Sequence, residues 1–293
     1  RMAFYSGDDT KGEYVYKFVP NGRFVAGADA DNRRLLDEGT LYVARFDADG
    51  SGEWLALVHG EHGLTAENGF PGQAEVLLNA RAAADRAGAT PMDRPEWVAV
   101  HPHSREVYVT LTNNDGRGAK QPLDRANPRP NNLHGQILRW QEEGGDPTAT
   151  RFEWEVFLLA GERSGARDAQ GNPVAANLVG TIDGDCFSSP DGLAFDAAGR
   201  LWIETDFDDD QPAMQAMGTN QLLCADPVTR EVRRFLVGPR GCEITGITWS
   251  PDYRAMWVNV QHPGLSFPAS DGQSRPRSST VLITKDDGGV IGS

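Results

Sequence analysis

The chain has 293 residues, 39% hydrophobic and 9% aromatic, enough for a sizeable core in one large domain or two small ones. Its 28 Lys and Arg against 42 Asp and Glu leave a formal charge of −14, which argues against nucleic acid, a partner that calls for a basic face. No apolar run reaches the roughly 18–20 residues of a membrane span, and 33 Gly with 18 Pro suit a turn-rich all-β protein better than a helical one.

An acidic excess serves solubility, or it gathers carboxylates for hard cations. Cys186, Cys224 and Cys242 form no CxxC pair, which speaks against a zinc knuckle. One disulfide among them is compatible with the sequence, with its pairing open.

In chain order, residues 1–5 read as a strand already under way, as in a fragment or processed chain. The turn at 6–13 holds Asp8, Asp9 and Glu13, an Asp-rich turn or a calcium cage. Alternation then gives strands at 14–19 and 39–46. The Asp47-Ala48-Asp49-Gly50 run lacks EF-hand spacing and lies between strands, so it reads as the turn of a hairpin returning through 54–58. Residues 73–87 form the one expected helical excursion, with Ala74, Val76, Leu77, Ala80 and Ala84 on one side and Gly88 as the stop.

The stretch 93–102, followed by 106–114, is a hairpin with charge at its mouth: Arg94 and Glu96 precede the apolar run from Trp97 to Val100, and Val107, Val109 and Leu111 return with period two. The pattern recurs at 189–206 and at 243–262. Each copy has polar groups, an apolar strand, a Pro, Asp or Gly turn, and a strand ending in Asn, Asp, Gln or His. Degenerate repeats of short strands, roughly 40–50 residues long, suggest propeller blades. Two paired strands fall at 135–140 and 152–159, another at 232–237 and a last one at 281–284. Loops at 113–132, 161–177 and 271–280 are polar, and loops this long are often functional.

In a propeller, loops at one end converge on a central channel, so acids distant in sequence share one volume. Glu96, Asp191 and Glu243 stand at matching strand mouths, with Asn114, Asp206 and His262 at strand ends and Asp8, Asp9 and Glu13 on the first turn. Such oxygen-rich sets suit Ca²⁺, Mn²⁺ or Fe³⁺ rather than zinc. Each acid taken singly also reads as a turn cap or solvated charge. Glu96 stands apart, because it opens an apolar run where a bare charge is costly. Arg94, two residues before it, points to the same side of an extended segment, as an ion-pair partner or an anion-binding cation. Arg277 is a second candidate to grip phosphate, or a solvated loop charge. His262 binds metal or phosphate, or caps a turn; His134 is a weaker candidate of the same kind. No G-x-S-x-G, P-loop, G-x-G-x-x-G or H-E-x-x-H motif occurs.

In Gly7-Asp8-Asp9, Glu13 to Phe18, Gly39 to Phe46, Ala89 to Trp97, Thr110 to Asn114, Ser189-Pro190-Asp191-Gly192, Thr245-Gly246, Gln261-His262-Pro263-Gly264 and Thr284 to Gly289, the chain resembles the PhoX-type alkaline phosphatases. The resemblance implies an all-β, six-bladed propeller, of which residues 1–293 are a single domain or the C-terminal portion. It implies a phosphomonoesterase exported by bacteria to the periplasm or beyond, acting on small phosphate esters at a cluster of iron and calcium. It casts Glu96 as a metal ligand and Arg94 as a phosphate contact. Asp8, Asp9, Glu13, Asp191, Asp206 and Glu243 as further ligands, and Arg277 and His262 at the reacting group, rest on position. One departure stands out: the family's iron-binding cysteine and neighbouring glutamates lie upstream of the matched region. A missing N-terminal segment is therefore an expected partner, without which the chain is inactive. The alternatives are a non-catalytic calcium-binding propeller module and a lactonase-like propeller hydrolase.

Overall fold

The structure, a computed structural model, describes residues 2–168 and 170–293; Arg1, the first residue of the first expected strand, lies outside them. Strands β1 (Phe4–Gly7), β2 (Val15–Pro20), β3 (Gly39–Phe46) and β4 (Ser51–Ala56) form an antiparallel meander, with a one-turn helix α1 (Asp29–Asn32) between β2 and β3. Helices α2 (Gln73–Leu78) and α3 (Ala80–Ala87) follow. A second meander comprises β5 (Pro95–Val100), β6 (Val107–Leu111), β7 (Gln136–Glu142) and β8 (Arg151–Leu159), and β4 pairs with β8 to join the two into an eight-stranded sheet. A five-stranded sheet holds β9 (Asp183–Gly184), β10 (Pro190–Phe195), β11 (Leu201–Thr205), β12 (Gln221–Ala225) and β13 (Glu231–Val237). A three-stranded sheet holds β14 (Glu243–Trp249), β15 (Ala255–Gln261) and β16 (Ser279–Thr284).

Alternation along each strand sends successive side chains to opposite faces, and on β6 and β11 both faces are covered. Both meanders contribute to one aromatic cluster, in which Phe46 meets Trp154 edge-on at 5.3 Å and Trp54 meets Trp140 at 5.9 Å. Tyr108, Ile137 and Phe157 pack against Leu193, Ile203 and Leu223 of the second sheet, whose Trp202 and Leu222 pack against Ile244, Met256 and Val258 of the third. Each such side chain contributes roughly 1.5–3 kcal/mol. The result is radial: β1 packs on β5, β5 on β10 and β10 on β14, so these four line the inside of an arc of sheets. The propeller arrangement expected from the hairpin repeat is present, and its hairpins 95–111, 190–205 and 243–261 are antiparallel as expected.

Two differences have local causes. The single helix expected over 73–87 is two, broken at Asn79 (φ −114, ψ 45). Helical spacing therefore does not carry across the break: Val76, Ala83 and Ala84 are buried against the first meander, while Ala74 and Leu77 are exposed. Strand β12 was not expected, because a short apolar run bounded by Asn220 and Asp226 gives no periodicity to separate strand from loop.

Candidate active site

The inner strands β5, β10 and β14 begin alike. Arg94 (φ 55), Ser189 (φ 49) and Gly241 (φ 69) are left-handed, one residue follows, and then comes an acid: Glu96, Asp191 or Glu243. For a side-chain-bearing residue that backbone costs roughly 1–2 kcal/mol. Each strand also slips register within its pairing, between Pro95 and Val98, Pro190 and Leu193, and Thr245 and Thr248. Such bulges bend a strand and re-aim its side chains. The three mouths are thus built by one local device.

The acids meet. Glu96 lies within hydrogen-bonding reach of both Asp9 and Asp191. Arg94 donates from Nε and Nη2 to the two oxygens of Asp9 at 2.7 and 3.0 Å and lies 3.6 Å from Glu96. Thr110 Oγ1, on β6, donates to the Asp191 carbonyl at 2.7 Å and fixes the β10 mouth to β6. Asp206, Glu243 and His262 bring ligand atoms within 4.8 Å of one another. Gln261 Nε2 donates to Glu243 at 2.6 Å, and His262 Nε2 faces the same carboxylate at 3.3 Å.

Electrostatics at this mouth is unfavourable to ionised acids. Burial, the bond to Asp9 and the charge of Asp191 push Glu96 well above the usual carboxylate range. Burial, then Asp206 and Glu243, push Asp191 up; burial and Asp206 do the same to Glu243. Burial raises Asp206 too, against the pull of Arg94 and His262. Burial also works against the Asp9 charge, but the Arg94 fork outweighs it and holds Asp9 below its usual value. His262 is raised: burial opposes its charge, but the carbonyl of Gly241 at 3.2 Å and the Glu243 carboxylate are both acceptors, so both ring nitrogens favour a proton.

Not every expected residue joins. Asp8 accepts two hydrogen bonds from Arg81 of α3, at 2.7 and 2.6 Å, and Glu13 lies 3.6 Å from the same guanidinium. The first turn is therefore split, with Asp9 turned to the mouth and Asp8 and Glu13 to the helix. Arg277 is exposed, and its guanidinium has no hydrogen bond or ion pair among the described residues; its neighbour Ser278 accepts a hydrogen bond from the His262 amide at 3.0 Å. Asn114 belongs to a buried network around Asp93, and His134 Nδ1 bonds Ser188 Oγ at 2.9 Å. The cysteines are all free.

Glu204 was not expected. It is wholly buried on β11, and burial followed by the charges of Asp191 and Glu243 pushes it up to about 8. The signal was there: an acid that directly follows the apolar run 201–203, two residues from Trp202 and two from Asp206, falls on the same side of an extended segment as both. A cavity of about 690 Å³ lies elsewhere, lined by Tyr5, Val100, Arg105 and Glu142 among others, and includes none of the mouth acids.

The family model described as "Alkaline phosphatase PhoX" matches residues 1–264. Among solved structures, Pseudomonas fluorescens PhoX in complex with vanadate, a transition state analogue, is 46% identical with a TM-score of 0.90, over 99% of this chain and 52% of that one. The chain thus spans about half the length of this relative. A gluconolactonase from Xanthomonas campestris is 16% identical, covering 66% of this chain and 59% of that one, with a TM-score of 0.28. No curated protein matches the chain.

Proposed function

The chain belongs to the PhoX alkaline phosphatase family, and from that premise we propose that its acid mouth is the C-terminal share of a metal-dependent phosphomonoesterase site. The observation that supports this best is the convergence of Glu96, Asp191 and Glu243, at equivalent positions of three inner strands, beside the Arg94 fork.

The residues present fit hard cations. Their donors are almost all oxygen, Asp191 Oδ1 is buried with no hydrogen-bond partner among the described residues, and Asp206, Glu243 and His262 already cluster. Glu96, Asp9, Asp191, Asp206 and Glu243 are the proposed ligands, and calcium and iron the proposed metals, with Asp8 and Glu13 as more distant acids beside Arg81. Bound there, such ions would neutralise the carboxylates and draw the negative charge of a phosphate ester.

Arg94 orients the phosphate. Asp9 occupies its Nε and Nη2, and Nη1, which has no hydrogen bond among the described residues, would donate to a phosphate oxygen. His262, protonated at the rim, holds a proton at Nε2 for a departing alkoxide, and Arg277 on the adjoining loop adds a second cation. The substrate is a small phosphate monoester and the setting is outside the cytoplasm. The remaining sheets would come from a further segment of the same protein, N-terminal to this one.

Metal analysis with p-nitrophenyl phosphate turnover tests the proposal, on the chain alone and mixed with the complementary half. Bound iron and calcium with phosphate release supports it. Calcium without turnover would replace it with a binding module, and lactone cleavage without phosphate release with a lactonase.

A further inference from the structure

One buried hydroxyl joins two of the three mouths. In the β5–β6 pairing Pro95 faces Leu111 and Val98 faces Val109, so Glu96 and Trp97 together face the single residue Thr110. Thr110 is wholly buried, on a strand that is buried along its whole length. Its Oγ1 accepts from the Trp97 amide at 3.1 Å and donates to the Asp191 carbonyl at 2.7 Å; the Trp97 carbonyl, at 3.3 Å, is the more distant acceptor. Asp191 in turn lies in the β10 bulge, between Pro190 and Leu193. The hydroxyl thus holds the residue next to Glu96 and the main chain of Asp191 itself, one in each bulge.

A bulge of this kind does not call for a hydroxyl. At the matching position of β15, Val258 faces Gly246 and Ile247 across the β14 bulge, and the bulge forms there on an apolar side chain. Val and Thr have nearly the same shape, so what Thr110 adds is the bond from the first sheet to the second. With its donor and acceptor capacity both in use, one hydroxyl fixes the two main chains relative to each other. A bulge aims its side chains, and two bulges locked together aim theirs as a pair. Resting on the reading of the mouth as a phosphomonoesterase site, we infer that Thr110 is a positioning residue for that reaction: its hydroxyl locks the β5 bulge to the β10 bulge and so sets the separation of the Glu96 and Asp191 carboxylates. Side chains that orient ligating groups from behind typically matter about 10–100-fold, and a misplacement of about 1 Å can cost on the order of 100-fold in rate.

The experiment compares p-nitrophenyl phosphate kinetics of the chain reconstituted with the complementary half, at saturating metal, in the unaltered protein and in Thr110→Val, Thr110→Ser and Val107→Ala. Hydrogen exchange at the Trp97 amide is followed in each. Thr110→Val keeps the shape and removes the tie: kcat should fall by about ten-fold or more with KM within about two-fold, and the Trp97 amide should exchange about ten-fold faster or more. Thr110→Ser keeps the hydroxyl and should restore kcat to within about two-fold. Val107→Ala loosens the other end of β6 without touching the tie, and its kcat should not change. If Thr110→Val does not fold, Thr110→Ala takes its place, with the same expected loss. An unchanged kcat in the variant lacking the hydroxyl, or an equal loss in Thr110→Ser or Val107→Ala, would overturn the role and leave the proposed function standing. An unaltered protein that binds no metal and releases no phosphate would overturn the proposed function, and this role with it.

Discussion

Two polar clusters adjoin in sequence, one around Asp93 and one that begins at Arg94, and they behave in opposite ways. Asp93 is wholly buried, and its carboxylate is saturated: Oδ1 accepts from Arg117 Nε at 2.7 Å and Asn114 Nδ2 at 2.9 Å, and Oδ2 from Asn132 Nδ2 at 2.8 Å. Asn132 also donates to Gln136, and Asn127 Oδ1 accepts from the Asp93 amide. From Arg94 onward the balance reverses, and acids outnumber the donors that face them. Burial is common to both, so burial does not mark a site; unmet hydrogen-bonding capacity does. The saturated network is a clamp that holds loop 113–132 against the foot of β5. The unsaturated mouth is held open at a cost.

The largest expected effect would break the clamp. Asp93→Ala strands the buried Arg117, and removal of one partner of such a pair typically costs about 3–5 kcal/mol. A urea midpoint should fall accordingly, while the metals bound per folded chain stay the same. Loss of metal with little loss of stability would show that clamp and mouth are one unit.

Next is a pH effect outside the mouth. Burial, then the charge of Arg129, pulls His134 down to about 4 from an ordinary 6.5. The native state therefore binds fewer protons than the unfolded chain between those values. Stability is full above pH 6.5 and is lost as pH falls toward 4, by about 3 kcal/mol in all. Thermal melts between pH 7 and 4 should show the slope, and His134→Gln should flatten it.

What the sequence disclosed of all this follows its physics. The inner hairpins were legible because alternating apolar residues and turn chemistry act locally, and Glu96 because an acid opening an apolar run is locally anomalous. Loop 113–132 was legible as long and polar, but its role as clamp was not, since Asp93, Arg117 and Asn132 pair only across the fold. The division of Asp8 from Asp9 depended on where Arg81 falls once the helix breaks at Asn79. Glu204 carried a local signal, yet its lack of partners is a property of packing between two sheets.

A smaller effect sharpens the contrast from the other side. In the metal-free chain Glu96 is an acid whose native pKa is raised, so the stability it permits is present below its unfolded value and is lost as pH rises through the native one. Glu96→Gln should remove that loss: the metal-free variant gains about 1–2 kcal/mol at pH 8, keeps its fold and binds less metal. A variant that lost stability would mean that Glu96 is a satisfied structural acid like Asp93.

The smallest effect expected is at the rim. The raised pKa of His262 gives stability that is present below 6.5 and lost as pH rises through the native value. The side chain is 59% exposed, however, so solvent screens most of its attraction to Glu243. His262→Ala should therefore change stability by no more than about 0.5 kcal/mol at pH 6. Its effect belongs instead on turnover in the reconstituted enzyme, where loss of a proton donor lowers the rate most for esters with poor leaving groups. An equal loss for good and poor leaving groups would place His262 among the residues that shape the mouth, not among those that move a proton.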